Sequence, residues 1–92
     1  MTKEDLLDYG YEDTVVFENP DYGDSIIGVD INGRAIYSLQ KMAENLAAED
    51  HMSYEDAVDF IDYNAARSLS YVEDGPIIAD IFEGETNGRK LK

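Results

Sequence analysis

Two runs, residues 25–31 and 34–37, flank Asn32-Gly33, and the first is patterned with a period of two. Ile27, Val29 and Ile31 share one face of the first run, and Ile26, Gly28 and Asp30 share the other. A period of two predicts a pair of strands, and Asn32-Gly33 suits the left-handed residues of a tight hairpin between them. Upstream, Thr14-Val15-Val16-Phe17 is β-branched and aromatic and ends at Asn19-Pro20, which predicts another strand. The period then lengthens. Leu39, Met42, Ala43 and Leu46 recur at three- and four-residue steps with Gln40, Lys41, Glu44 and Ala48 opposite, predicting a helix over residues 39–49. Asp50-His51-Met52 breaks that pattern. Ser53 opens a second helix that runs to about residue 70, with Tyr54, Ala57, Val58, Ile61, Ala65, Ser68 and Leu69 as its core stripe. Ser53-x-x-Asp56 is a capping-box variant, with Met52 placed to staple onto the first turn. Gly75-Pro76 reads as a turn, and residues 77–82 as a last strand, apolar on both faces. A short helix over residues 2–9, capped by Thr2 and stopped by Gly10, opens the chain.

The resulting order, α-β-β-β-α-α-β, predicts an α+β fold: a three- to four-stranded, mainly antiparallel sheet with two amphipathic helices on one face. Residues 1–84 form one small domain in this reading, and residues 85–92 a flexible basic tail. The last strand is expected either at the centre of the sheet or at an edge that a partner completes.

Charge changes the picture more than any motif. Of 92 residues, 21 are Asp or Glu and 7 are Lys or Arg, a net charge of −14. Arg89, Lys90 and Lys92 close the chain, so residues 1–88 hold 4 basic against 21 acidic side chains, a net −17. Hydrophobic residues at 43% are too many for a disordered acidic segment, so a folded core is expected. Such a negative body disfavours direct contact with nucleic acid or an anionic membrane. The sequence has no run of about 18 apolar residues and no basic, apolar leader, which points to a cytoplasmic protein with no membrane partner. Without Cys there are no disulfides, thiolate nucleophiles or Cys-bound metals.

The helix opened by Ser53 carries the most pointed surface. At 100° per residue Glu55, Asp59 and Asp62 fall in a stripe about 60° wide, flanked by Asp56, with Glu49 and Asp50 just upstream. Neighbouring carboxylates rise about 5–6 Å apart along the axis, comparable to phosphates along a strand. No Lys or Arg lies between Leu46 and Asn64 to offset them. A solvated face is the bland reading of one such helix; an electrostatic decoy for a basic protein is the pointed one. Phe60, Asn64 and Arg67 form a second stripe, read either as burial on two sides or as a partner contact. Seven tyrosines add interface character, several interleaved with acids in Asp8-Tyr9-Gly10-Tyr11-Glu12-Asp13 and Asp21-Tyr22-Gly23-Asp24. Tyr54 and Tyr37 are expected at the core boundary. Tyr63 joins Glu49, Asp50, Glu55, Asp56, Asp59 and Asp62 as the expected partner-binding set.

Enzymatic readings find little footing. His51 is alone in a polar turn, and no Gly-x-Ser-x-Gly elbow is present. Asp21-x-x-Asp24 and Asp30-x-Asn32-Gly33 lack the alternating ligands and distal Glu of a calcium loop. The glycines from Gly84 to Lys90 lack the Gly-Lys-Ser/Thr ending of a phosphate loop. No catalytic residue, metal or cofactor is expected.

Over residues 17–82 the chain resembles a family of small, uncharacterised acidic proteins of phages and mobile elements of gut bacteria. The likeness rests on Asp21-Tyr22-Gly23-Asp24-Ser25-Ile26-Ile27-Gly28-Val29 and Gly33-Arg34-Ala35-Ile36-Tyr37. It continues through Met52-Ser53-x-Glu55-Asp56-Ala57, Phe60-Ile61-Asp62-Tyr63-Asn64-x-x-Arg67-Ser68-Leu69 and Gly75-Pro76-Ile77-Ile78. It implies a setting, an accessory protein of a virus or element, similar in kind to anti-CRISPR and anti-restriction inhibitors; it transfers no site. Two functions follow as expectations. The first is a non-enzymatic inhibitor whose acids occupy the phosphate sites of a basic nucleic-acid-binding protein, a CRISPR–Cas effector first among candidates. The alternative is an interaction module, possible as a strand-mediated homodimer, whose charge serves solubility.

Overall fold

Thr2 begins the first helix as its sequence requires. Its hydroxyl accepts the Asp5 N–H while the Asp5 carboxylate accepts the Thr2 N–H, a complete capping box ahead of α1 (Lys3–Asp8). Gly10, at φ +94°, turns the chain away. The computed structural model describes residues 1–18, 20–67, 69 and 74–80. Within them α1 is followed by β1 (Ile26–Val29), β2 (Ala35–Ser38), α2 (Leu39–Asp50), α3 (Tyr54–Phe60), a π-helical segment (Ile61–Ala66) and β3 (Ile77–Ala79).

β1 and β2 pair antiparallel as predicted, but the turn differs in its details. Asp30 N–H donates to Arg34 O (2.9 Å) and Gly33 N–H to Asp30 O (3.0 Å), so three residues form the loop. Only Gly33 takes the left-handed conformation, at φ +83°. The Asp30 carboxylate fixes the rest by accepting the N–H groups of Asn32 and Arg34. A bulge between Ile26 and Gly28 shifts the register, leaving Ile27 exposed while Ile26 and Val29 both pack on the core. The expected grouping of Ile27, Val29 and Ile31 on one face fails for that reason, and Ile31 at the loop is fully exposed.

The sheet is mixed rather than mainly antiparallel. β3 pairs parallel to β2, with Ile36, Tyr37 and Ser38 opposite Ile77, Ile78 and Ala79, giving the order β1-β2-β3. The two helices between β2 and β3 supply the long crossover that a parallel pair needs. Arg34 Nε donates to Gly75 O at 2.8 Å and ties the hairpin to the entry of β3. Phe82, the expected end of this strand, and the expected tail lie outside the described residues.

No strand forms over residues 14–17. The segment is held by single side-chain hydrogen bonds instead: Thr14 Oγ1 donates to Gly33 O (3.1 Å), and Phe17 N–H donates to the Tyr37 hydroxyl (3.0 Å). Phe17 meets Tyr37 and Tyr22 edge-on, with ring centroids 4.8 and 5.4 Å apart. Its β-branched residues favour extension, and burial of Val16 and Phe17 satisfies that preference without a ladder.

Ser38 caps α2, which buries Met42, Ala43 and Leu46 as its periodicity predicts. His51 ends it in the left-handed conformation, φ +55°. α3 packs on α2. Ala57, Ile61 and Ala65 are buried, Val58 packs at the margin, and Ser68 lies outside the described residues. Tyr54 is not a core residue. It is the first helical residue, ahead of the contact that Ala57 begins, and is 46% exposed. The regular helix predicted to about residue 70 changes to π geometry at Ile61. Asn64 supplies a local cause: its side-chain amide donates to Phe60 O (3.0 Å), where the α-helical pattern would place its own backbone N–H.

Candidate acidic docking surface

Every member of the expected partner-binding set is exposed: Glu49 and Asp50 at the end of α2, Glu55, Asp56 and Asp59 on α3, Asp62 and Tyr63 on the π segment. Ser53 Oγ accepts the Asp56 N–H (3.0 Å) and starts α3 just where Glu55 and Asp56 favour the positive end of its dipole. Beyond that first turn the acids gain nothing from the helix and face solvent. Among the described residues none of the six carboxylates forms an ion pair.

They do not form a single patch. Two grooves run along opposite flanks of α3, with no residue in common among the described residues. On one flank Glu49 and Asp50 face Glu18 and Asp21 across a floor of Pro20, Leu46 and Phe60. On the other, Asp59 and Asp62 border a floor of Leu39, Val58, Ile61 and Ile78. Glu55 and Asp56 lie on neither floor. Tyr63 is 65% exposed, but the Arg67 guanidinium sits 4.9 Å from its ring centroid, so its face is partly taken by a cation–π contact.

The first groove is electrostatically less available than its four acids suggest. Lys3 Nζ lies 3.0 Å from Glu18 and 3.8 Å from Asp21, and hydrogen bonding to Glu18 raises the lysine's pKa above its ordinary value. Asp21 Oδ1 also accepts the Gly23 N–H (2.9 Å). The hydrogen bond from Asn45 holds the Asp24 carboxyl below its ordinary range. The two sequences that brush against calcium loops thus use Asp21 and Asp30 as turn caps. Among the described residues no three carboxylates or imidazoles converge at a common point, so the acids stand as separate charges. His51 serves as a helix C-cap, its N–H donating to Ala47 O.

Sequence reading missed the grooves themselves. Val58 and Ile61 fall in the core stripe, and nothing in their spacing shows that Ile78 of β3 and Leu39 of α2 line one groove with them. The Phe60–Asn64–Arg67 stripe was the available signal that this helix has two worked flanks. Of the two runs that interleave Tyr with acids, Tyr9 and Tyr11 are exposed, whereas Tyr22 is buried. Comparison with protein-family models, curated proteins and solved structures finds no match. No helix among the described residues is long and apolar enough to cross a membrane.

Proposed function

We propose that this protein is a non-enzymatic inhibitor of a nucleic-acid-handling protein, with a CRISPR–Cas effector the first target to test. In this reading it acts in the cytoplasm of a bacterial host as an accessory protein of a phage or mobile element. Its exposed acids occupy Arg and Lys sites meant for phosphate and steer association through complementary charge. The observation that carries the reading is the run Glu49, Asp50, Glu55, Asp56, Asp59 and Asp62, all exposed and none in an ion pair among the described residues. Like charges three and four residues apart, as Glu55, Asp59 and Asp62 are, repel by a few tenths of a kcal/mol per pair, a cost that solubility alone does not require.

The test is a cleavage and mobility-shift assay across a panel of purified effectors. Inhibition should weaken steeply with salt, and the protein alone should leave DNA and RNA unshifted at micromolar concentration. A shift by the protein alone overturns the mimic. The strand-mediated dimer stands as a second reading, because β3 is an edge of the described sheet. Sedimentation separates the two, since dimerisation through strand pairing should respond little to salt.

A further inference from the structure

The groove between α3, the start of α2 and β3 has a feature that phosphate mimicry does not need. A decoy for a nucleic-acid backbone requires carboxylates at suitable spacing; it does not require that they border an apolar cleft. Here four apolar side chains from three parts of the fold, Leu39, Val58, Ile61 and Ile78, floor a cavity of about 330 Å³ with Asp59 and Asp62 at its margin. Neither carboxylate has an ion-pair partner among the described residues. The π segment begins at Ile61, between the two acids, so the departure from regular helix falls at the groove itself. Such irregularities recur at functional sites.

Building on the inhibitor reading, we propose that this groove seats an apolar side chain of the target flanked by Arg or Lys. The occupant is an aliphatic or aromatic residue within one helical turn of a cation in a basic protein segment. Charge complementarity selects it. Asp59 and Asp62 desolvate favourably only against cations, and the floor desolvates favourably only against an apolar group. The division of labour is physical. The acidic surface accelerates encounter, and a buried anchor slows release, because residence is set mainly by well-packed central contacts.

The test is a methyl-resolved NMR titration of the full chain with three synthetic hexapeptides. One carries two leucines flanked by arginines, one replaces the leucines by glycine, and one replaces the arginines by glutamate. The first should shift the Val58, Ile61 and Ile78 methyls saturably. The glycine peptide and the D59N/D62N variant should each weaken that binding at least tenfold, with the variant's other methyl resonances unmoved. Equal shifts from the first two peptides would reduce the groove to bulk charge and overturn the proposal. So would binding seen only after R89S/K90S/K92S, which would assign the groove to the chain's own basic end. Loss of peptide binding in D59N/D62N with effector inhibition intact would overturn the groove as the target's seat and leave a mimic that rests on Glu49, Asp50, Glu55 and Asp56 alone. Peptide binding without inhibition of any effector would do the reverse.

Discussion

The two flanks of α3 carry four and two carboxylates and put them to different use. On the flank that holds Glu18 and residues 20–25, acids work inside the fold: Glu18 and Asp21 hold Lys3, Asp21 caps its own turn, and Asp24 accepts from Asn45. On the flank facing β3, Asp59 and Asp62 bond to nothing among the described residues and border an apolar floor. Count and spacing, which are all that a sequence offers, do not separate these cases. What separates them is whether a cation or a turn N–H lies within reach. Acids already engaged can be altered only at some cost to the fold, whereas unengaged acids can be altered almost freely.

The largest expected effect comes from reversing the exposed acidic stripe of α3 and the π segment. Glu55, Asp59 and Asp62→Lys moves the net charge from −14 to −8 by reversing three side chains. Inhibition should fall about 100-fold or more, since like charges juxtaposed at an interface cost several kcal/mol. Asp8, Glu12 and Asp13→Lys changes the charge equally on exposed positions that avoid Glu18 and its bond to Lys3. Equal losses in the two triple variants would make net charge the lever and erase the distinction between the flanks. An effector cleavage titration reads both.

Next in size is a test of the engaged flank through its tightest point. Gly23 has φ +57°, and a Cβ built there would fall 2.5 Å from Asn45 Oδ1. That amide is held by Lys41 O at 2.9 Å, with Ser25 Oγ and Asp24 further out, so it cannot swing aside without losing bonds. Gly23→Ala should cost about 2–3 kcal/mol, combining left-handed strain with lost hydrogen bonds. Gly33→Ala is the matched control. It shares the positive φ but meets nothing within 4 Å, and should cost only about 1 kcal/mol. Chemical denaturation of both variants checks the difference.

These contrasts show which parts of the molecule the sequence makes legible. α1, α2 and the β1–β2 hairpin are written in local signals: a capping box at Thr2, the Met42–Ala43–Leu46 stripe, and Gly33 at its left-handed position. The parallel pairing of β3 is not local; it depends on a crossover of two helices bringing Ile77 beside Ile36. The strand expected at residues 14–17 fails because β propensity is satisfied by burial against Tyr37 as readily as by a ladder. The candidate site is legible to the same depth. Exposure of Glu49, Asp50, Glu55, Asp56, Asp59, Asp62 and Tyr63 follows from periodicity, but the engagement of Tyr63 by Arg67 and the floor beside Asp59 follow from tertiary contacts.

A smaller effect is expected at the wall that residues 14–18 form. Tyr37→Phe removes the acceptor of the Phe17 N–H, and should cost about 1 kcal/mol while leaving the free flank and its inhibition unchanged. Burial raises the pKa of Tyr37, and of Tyr22, above the ordinary phenol value. The neutral ring is therefore the folded form. Its contribution is full below about pH 10, where an unfolded tyrosine ionises, and is lost as pH climbs from there through the raised folded value. Alkaline unfolding monitored by tyrosine absorbance should begin above that pH and be shallower in Tyr37→Phe.

The smallest effect has the opposite sign, and the comparison of flanks requires that sign. Asp59 and Asp62 stand three residues apart on an exposed helical surface, with no cation paired to either among the described residues. Like charges so placed repel by a few tenths of a kcal/mol, so Asp59→Asn with Asp62→Asn should stabilise the fold by about that amount at low salt. The gain should fade at high salt as screening removes the repulsion in the parent chain. Asp21→Asn on the engaged flank should do the contrary. It removes the charge that faces Lys3 and weakens the acceptor of the Gly23 N–H, so the midpoint in denaturant should fall. Opposite signs for two conservative Asp→Asn changes on one acidic protein would separate acids that hold the fold from acids held out to solvent. If both destabilise, Asp59 and Asp62 carry structural bonds of their own, and the flank facing β3 is no freer than the other.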